Sequence, residues 1–182
     1  VCVFPEPALN MPRTAAYPNY IHEILVHAGI CYTKIAVDSL ASQLDNTSIL
    51  ITIGENELAD DAKKKLRSFV EAGGAWISIG GICGMDDLLG VTKPPAYVGF
   101  GAGARTLGEG YLTADGAKHP MLSHIEKPLH FFNGLTVKPT TAKILAKRQD
   151  AHGRPTNDAV LTENSAASGR AIFLAVDLTG TI

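Results

Sequence analysis

Two short, predominantly apolar and β-branched runs, Ile49 to Ile53 and Ala75 to Ile79, constrain this chain most. Strands with one wet face alternate between apolar and polar residues. Continuous runs belong to strands buried on both faces, as in parallel sheets covered by helices. Between them, Leu58, Ala62, Leu66 and Phe69-Val70 recur at helical spacing over 57–72, and Gly73-Gly74 stops that helix. The unit therefore reads strand, helix, strand, with Asn56 placed to cap the helix.

The same rhythm extends towards the amino end. Val1 to Phe4 is an apolar run closed by Pro5 and Pro7, and a loop is expected from Glu6 to Tyr17. Pro18 suits the first turn of a helix whose Ile21, Ile24, Leu25 and Ala28 face a sheet, ending at Gly29. Cys31 to Val37 reads as a strand, and Asp38 and Ser39 offer caps for a short helical turn to Leu44. In doubly wound sheets ligands bind beyond the carboxyl ends of the strands. That rule selects Glu6, Asp38, Glu55 and the turn from Gly80 to Asp87.

The second half differs. Val91 to Gly110 is rich in Gly and Pro and lacks helical period, so it reads as a long loop or insertion. Its glycine-rich part, Gly99 to Gly110, lacks the G-K-[ST] of a phosphate loop and is expected to lie over the pocket. His119 to Ile125 is expected to form a short helix. Leu135 to Val137, Ala142 to Lys147, Asp158 to Thr162 and Arg170 to Asp177 read as strands, with a turn over Ala151 to Pro155. They are expected to add antiparallel edge strands to the parallel core. The expected fold is thus α/β: one flavodoxin-like domain over 1–182, its mostly parallel sheet flanked by helices, with antiparallel strands in the last third.

Composition narrows the function classes. Of 182 residues, 46% are apolar and 19% charged, and the formal charge is -2. That balance supports a real core and offers nothing to nucleic-acid phosphates. The basic run Lys63 to Arg67 falls on the expected helix as a solvated face. No apolar stretch reaches the roughly 18 residues of a membrane span. Because the chain opens on Val1, directly at a strand, it is expected to be one domain of a longer protein or to follow a removed signal segment. The compartment stays open, export included.

The three cysteines form no CxxC pair or metal spacing. Cys2 and Cys31, at strand starts, read as buried thiols. Cys83 is different, because strand 76–79 runs into Gly80-Gly81-Ile82-Cys83-Gly84. A thiol at a sharp turn into a helix can be activated by the helix N-terminus, with backbone N–H groups as an oxyanion hole. Catalysis also needs a base, and His130 and His152 are the candidates. Of the remaining histidines, His22 and His27 are not one helical turn apart. His130 precedes Phe131-Phe132, a pair suited to core packing or to an aromatic wall. Glu6, Glu55, Glu57, Asp86 and Asp87 could gather as an acidic pocket for a metal or for sugar hydroxyls, or serve as helix caps and solvated loop ends. No metal spacing and no cofactor motif is present.

The stretch Leu66 to Ile79, with its Phe69-Val70-Glu71-Ala72-Gly73-Gly74 before an apolar strand, resembles the class I glutamine-amidotransferase-like superfamily. Met85 to Val91 resembles the "xxLLGV" of the β-galactosidase trimerisation domain. His119-Pro120-Met121-Leu122 is similar to an "HPL" segment of several branches, ThuA-like proteins among them, and Gly169 to Leu178 resembles their closing strand. Catalytic members carry G-x-C-x-G and a late H-x-E. Here Gly84 comes one place early, and Ala175-Val176-Asp177-Leu178-Thr179 has no histidine. The resemblance therefore implies the architecture without the triad: a non-catalytic accessory domain of a larger, carbohydrate-related protein, making assembly or ligand contacts. Its implied partners are other copies of itself, other domains of its parent chain, or a carbohydrate. Two alternatives stand beside it. One is a Cys83-dependent amidase, hydrolase or ThuA-like sugar-processing enzyme. The other is a sugar-binding module using Glu6, Glu55, Gly80, Gly81, Cys83 and Asp86.

Overall fold

The computed structural model describes residues 2–6, 17–92, 108–114, 119–132 and 134–176, with side chains from Tyr20 onward apart from Ala114. The first half follows the expected rhythm. β1 (Cys2–Glu6) leads to α1 (Tyr17–His27), β2 (Tyr32–Ala36), α2 (Leu40–Gln43), β3 (Ile49–Ile53), α3 (Asp60–Glu71) and β4 (Ala75–Ile79). Then come α4 (Asp86–Leu89), β5 (Val91–Thr92), β6 (Gly110–Ala114), β7 (Leu129–Phe131), β8 (Lys138–Pro139), β9 (Lys143–Asp150), β10 (Pro155–Ala166) and β11 (Gly169–Leu174).

Nine described strands form one sheet in the order β2-β1-β3-β4-β11-β10-β9-β6-β7. The first five are mutually parallel. They have the 2-1-3-4-5 order of flavodoxin-type doubly wound sheets, with β11 as the fifth strand. The last four are antiparallel. β5 and β8 pair separately.

Strand alternation divides the core between two faces. Leu50, Trp76, Ala171 and Phe173 pack with α2, α3 and α4. On the other face Ile51, Ile53, Ile77 and Ile79 pack with Ile21 and Leu25 of α1. β3 and β4 are therefore covered on both sides, as their predominantly apolar runs require. α3 buries Ala62, Leu66, Phe69 and Val70. Its basic run lies on the outer side, where Lys65 meets Asp45 at 2.5 Å and Arg67 meets Asp87 at 2.6 Å.

Several expectations need correcting. The last strand is not an edge. β11 lies between β4 and β10, because Ala171, Ile172 and Phe173 are buried on both faces. Leu135 to Val137 is not a strand. Leu135 and Val137 are buried by packing, Leu135 N–H donates to the Ala175 carbonyl at 2.7 Å, and the paired residues are Lys138-Pro139. The helix expected from Glu57 starts at Asp60, with Asp60 and Asp61 in its first turn. No side-chain cap starts it or the short turn at Ser39, so the caps expected of Asn56, Asp38 and Ser39 do not form. β1 runs through Pro5 to Glu6 rather than stopping before it. The short helix expected from His119 is a single 3-10 turn, Pro120–Leu122. Cys31 is exposed, against the buried thiol expected there. The loop segments 7–16 and 93–107 lie outside the described residues. Among the described residues no helix is long and apolar enough to cross a membrane.

A polar chain runs through the helix-covered face. Trp76 Nε1 donates to Thr52 Oγ1 at 3.0 Å, Thr52 Oγ1 to Ser78 Oγ at 3.1 Å, and Ser78 Oγ to the Gly81 carbonyl at 2.5 Å. All three side chains belong to residues with 0% exposure. Buried polar groups are tolerated only when bonded, so each link depends on the next. Thr52→Val keeps the shape but orphans the Trp76 N–H. It should cost about 1–3 kcal/mol in a urea unfolding series with an unchanged m-value. A loss below about 0.5 kcal/mol would mean the chain does not hold the strands.

Candidate functional site

The loops leaving the carboxyl ends of β3 and β4 meet face to face. The ladder continues past both strands: Gly54 N–H donates to the Ile79 carbonyl and Gly80 N–H to the Leu174 carbonyl, each at 2.8 Å. A Cβ on Gly81 would stand 2.0 Å from the Gly54 carbonyl oxygen, so only glycine permits this approach. Glu55 then reaches across, and its Oε2 accepts the Ile82 N–H at 2.6 Å.

The cysteine sits in a tight turn. Cys83 has φ 55° and Gly84 φ 65°, and Met85 N–H donates to the Ile82 carbonyl at 3.0 Å. Positive φ at both central positions with this bond is the type I′ pattern. The early glycine, out of step with an amidotransferase elbow, thus has a local reason: it fills the second central position of the turn. Cys83 occupies the first in a backbone region that non-glycine residues seldom adopt.

The turn points the thiol inward. Cys83 is 1% exposed. Its Sγ lies 3.9 Å from Asn56 Nδ2 and 3.9 Å from the Gly54 carbonyl oxygen. Asn56, buried, also donates to the Ile53 and Gly54 carbonyls at 3.2 and 3.1 Å. Burial pushes the thiol pKa up to about 11, and the negative Glu55 adds to the rise, outweighing the bonds from Asn56 and Thr52. Reactive cysteines occupy electropositive, accessible surroundings, and this one has the opposite.

The other candidates are dispersed. His130 lies on β7, five strand steps from β4. At about 4.8 Å per step that is on the order of 24 Å, so His130 and Cys83 do not form a dyad. Its Nε2 instead lies 2.8 Å from Glu109 Oε1. His152 lies in the exposed β9–β10 turn, where its N–H donates to Asp150 Oδ1 at 2.9 Å. Asp86 opens α4, and Asp87 beside it is drawn to Arg67. Glu6 ends β1 in register with Ala36, and its side chain lies outside the described part. Among the described residues no group of three or more His, Cys, Asp or Glu could hold a metal. Of the singled-out residues, the structure thus unites Glu55, Gly80, Gly81 and Cys83.

Sequence reasoning missed Thr52, Asn56 and Ser78 as neighbours of the turn. Thr52 and Ser78 did carry a signal, since each is a polar residue inside an otherwise apolar strand run. An open groove of about 480 Å³ lies at the other end of the same strands, lined by Asp45, Ser48, Lys65, Phe69 and Gly74 among others. It includes none of the site residues.

No family model matches the sequence, and no curated protein sequence matches it. Solved structures do resemble the fold. An exo-β-1,4-mannosidase from an Opitutaceae bacterium superposes with TM-score 0.68 at 17% identity, covering 99% of this chain and 32% of the mannosidase. A β-galactosidase from Bacillus circulans gives 0.68 at 14%, covering 98% of this chain and 29% of the enzyme. A ThuA-like protein from Bacteroides uniformis gives 0.65 at 10%, covering 96% of this chain and 80% of that protein. The chain spans about a third of the length of the glycosidases it matches. These are the two branches, β-galactosidase and ThuA-like, that the sequence motifs resemble.

The raised thiol pKa has a stability consequence. An ordinary thiol, at 9.0, loses its proton in the unfolded chain before the folded one does. Between about pH 9 and 11 the unfolded state therefore binds fewer protons, and stability falls as pH rises. At about 1.4 kcal/mol per pH unit, the loss attributable to Cys83 is on the order of 2 kcal/mol. Melting curves of the protein and of Cys83→Ala should diverge over this window, the parent losing more. Parallel curves would show that the folded thiol titrates normally.

Proposed function

We propose that this chain is a non-catalytic, glutamine-amidotransferase-like domain of a carbohydrate-related protein, contributing assembly or ligand contacts rather than acyl transfer. One observation carries the reading. The cysteine at the elbow position is buried, held protonated near neutral pH, and set beside a carboxylate instead of an imidazole. Thioester chemistry needs a thiolate within reach of substrate and a base to regenerate it. Glu55 also occupies the Ile82 N–H, a backbone donor of the same turn.

Support for the carbohydrate setting comes from the structural neighbours. Two of them are a mannosidase and a β-galactosidase, and in each the likeness covers roughly a third of the enzyme. A domain of that relative size has other domains of a parent chain as its natural partners. Fold likeness alone does not transfer activity, so the assignment rests on the site chemistry.

Peptide-mapped alkylation tests this reading. With iodoacetamide at neutral pH, exposed Cys31 should label at the rate of a free thiol, providing an internal standard. Cys83 should label only when denaturant opens the fold. Native labelling of Cys83 faster than Cys31 would reveal an activated nucleophile and favour the hydrolase alternative.

A further inference from the structure

Strand alternation divides the segment His130-Phe131-Phe132 between two uses. Phe131 points into the core with 0% exposure, whereas Phe132 is 49% exposed. His130 is the register partner of Tyr111 on β6, and Tyr111 is the register partner of Gln149 on β9. Directly opposed residues share a face of the sheet, so His130, Tyr111 and Gln149 form one cross-strand row on the side away from Phe131. The rings are contiguous. Tyr111 and His130 have centroids 5.1 Å apart, and His130 and Phe132 meet edge to face at 4.7 Å.

Polar groups border this aromatic row. Glu109 Oε1 lies 2.8 Å from His130 Nε2. The Glu109 carbonyl accepts from Arg148 Nη2 at 2.9 Å, and Arg148 Nη1 is anchored to Asp158 at 3.3 Å. The carboxylate is thus presented from a fixed backbone, half exposed, next to the rings.

We infer that this outward face of β6 and β7 is a saccharide-binding platform. A pyranose has an apolar C–H face and a rim of hydroxyls. The rings of Phe132 and Tyr111 offer flat apolar area to the first. The Glu109 carboxylate, the His130 imidazole and the Gln149 amide offer acceptors and donors to the second. A protein partner fits less well, because interface cores are depleted of charge and the half-exposed Glu109 carboxylate stands against this row. The platform gives the carbohydrate-related function a location, and the choice of ligand rests on that function.

Titration of the isotope-labelled protein with methyl β-galactopyranoside and with β-1,4-mannobiose, read by NMR, tests it. The side-chain resonances of Tyr111, His130 and Phe132 should shift saturably with at least one of these sugars. Phe132→Ala should weaken binding about 3- to 10-fold, the effect of losing one stacked ring. Glu109→Gln should weaken it without changing the melting temperature, since Glu109 is a surface side chain. Absence of saturable shifts with both sugars, or shifts unaltered in both variants, would overturn the platform. So would a Phe132→Ala effect confined to self-association in sedimentation, which would make the patch a protein interface. Cys83 alkylation is independent of all these outcomes, so failure here leaves the non-catalytic reading to stand or fall on its own test.

Discussion

The buried chain from Trp76 through Thr52 and Ser78 to the Gly81 carbonyl is the interaction on which the rest of this structure depends. It ties the two central strands together side chain to side chain, in addition to their backbone ladder. It also extends past the end of β4 and holds the first residues of the next turn. Hydrogen bonds in such a dry setting are strong, and leaving one partner unmatched is costly. The turn is therefore clamped from beneath by Ser78 and from the side by the contact between Gly81 and Gly54, where no Cβ fits.

The clamp dictates the geometry of the elbow. With Gly81 fixed, the chain closes a tight turn through Cys83 and Gly84 and enters α4 within a few residues. The thiol faces inward among Thr52, Asn56 and the Gly54 carbonyl, and the loop after β3 lays Glu55 across the Ile82 N–H. A nucleophile elbow exposes its reactive atom and leaves backbone N–H groups free for an oxyanion hole. Here the tight turn through Cys83 and Gly84 turns the sulfur inward, and the Glu55 carboxylate takes a backbone donor. At this turn the thiol is buried and its pKa is raised rather than lowered. Its opposite wing carries a separate aromatic and polar face.

The parallel half of the fold is legible in the sequence because burial on both faces leaves a predominantly apolar run, and β3 and β4 have the expected bounds. The central place of β11 is hidden for a physical reason. Its Gly169-Arg170 start and short apolar centre resemble an edge strand until pairing with β4 is known, and that pairing is non-local. Asn56 has the look of a cap because Asn before a helix commonly is one, whereas here the chain stays extended to Ala59 so that Leu58 can be buried. At the site, the glycines and Cys83 are visible as a pattern. The inward direction of the thiol is not, because it depends on the sign of φ at Cys83. The distance to His130 is equally hidden, since it depends on strand order.

The central claim is that Cys83 is a structural, protonated thiol. Its ¹³Cβ chemical shift, followed by NMR across neutral and alkaline pH in the native protein, reports that proton directly. The account predicts a flat profile through about pH 9 and an inflection only near 11. An inflection near or below about pH 8, within the range of activated thiols, would show a thiolate and contradict it.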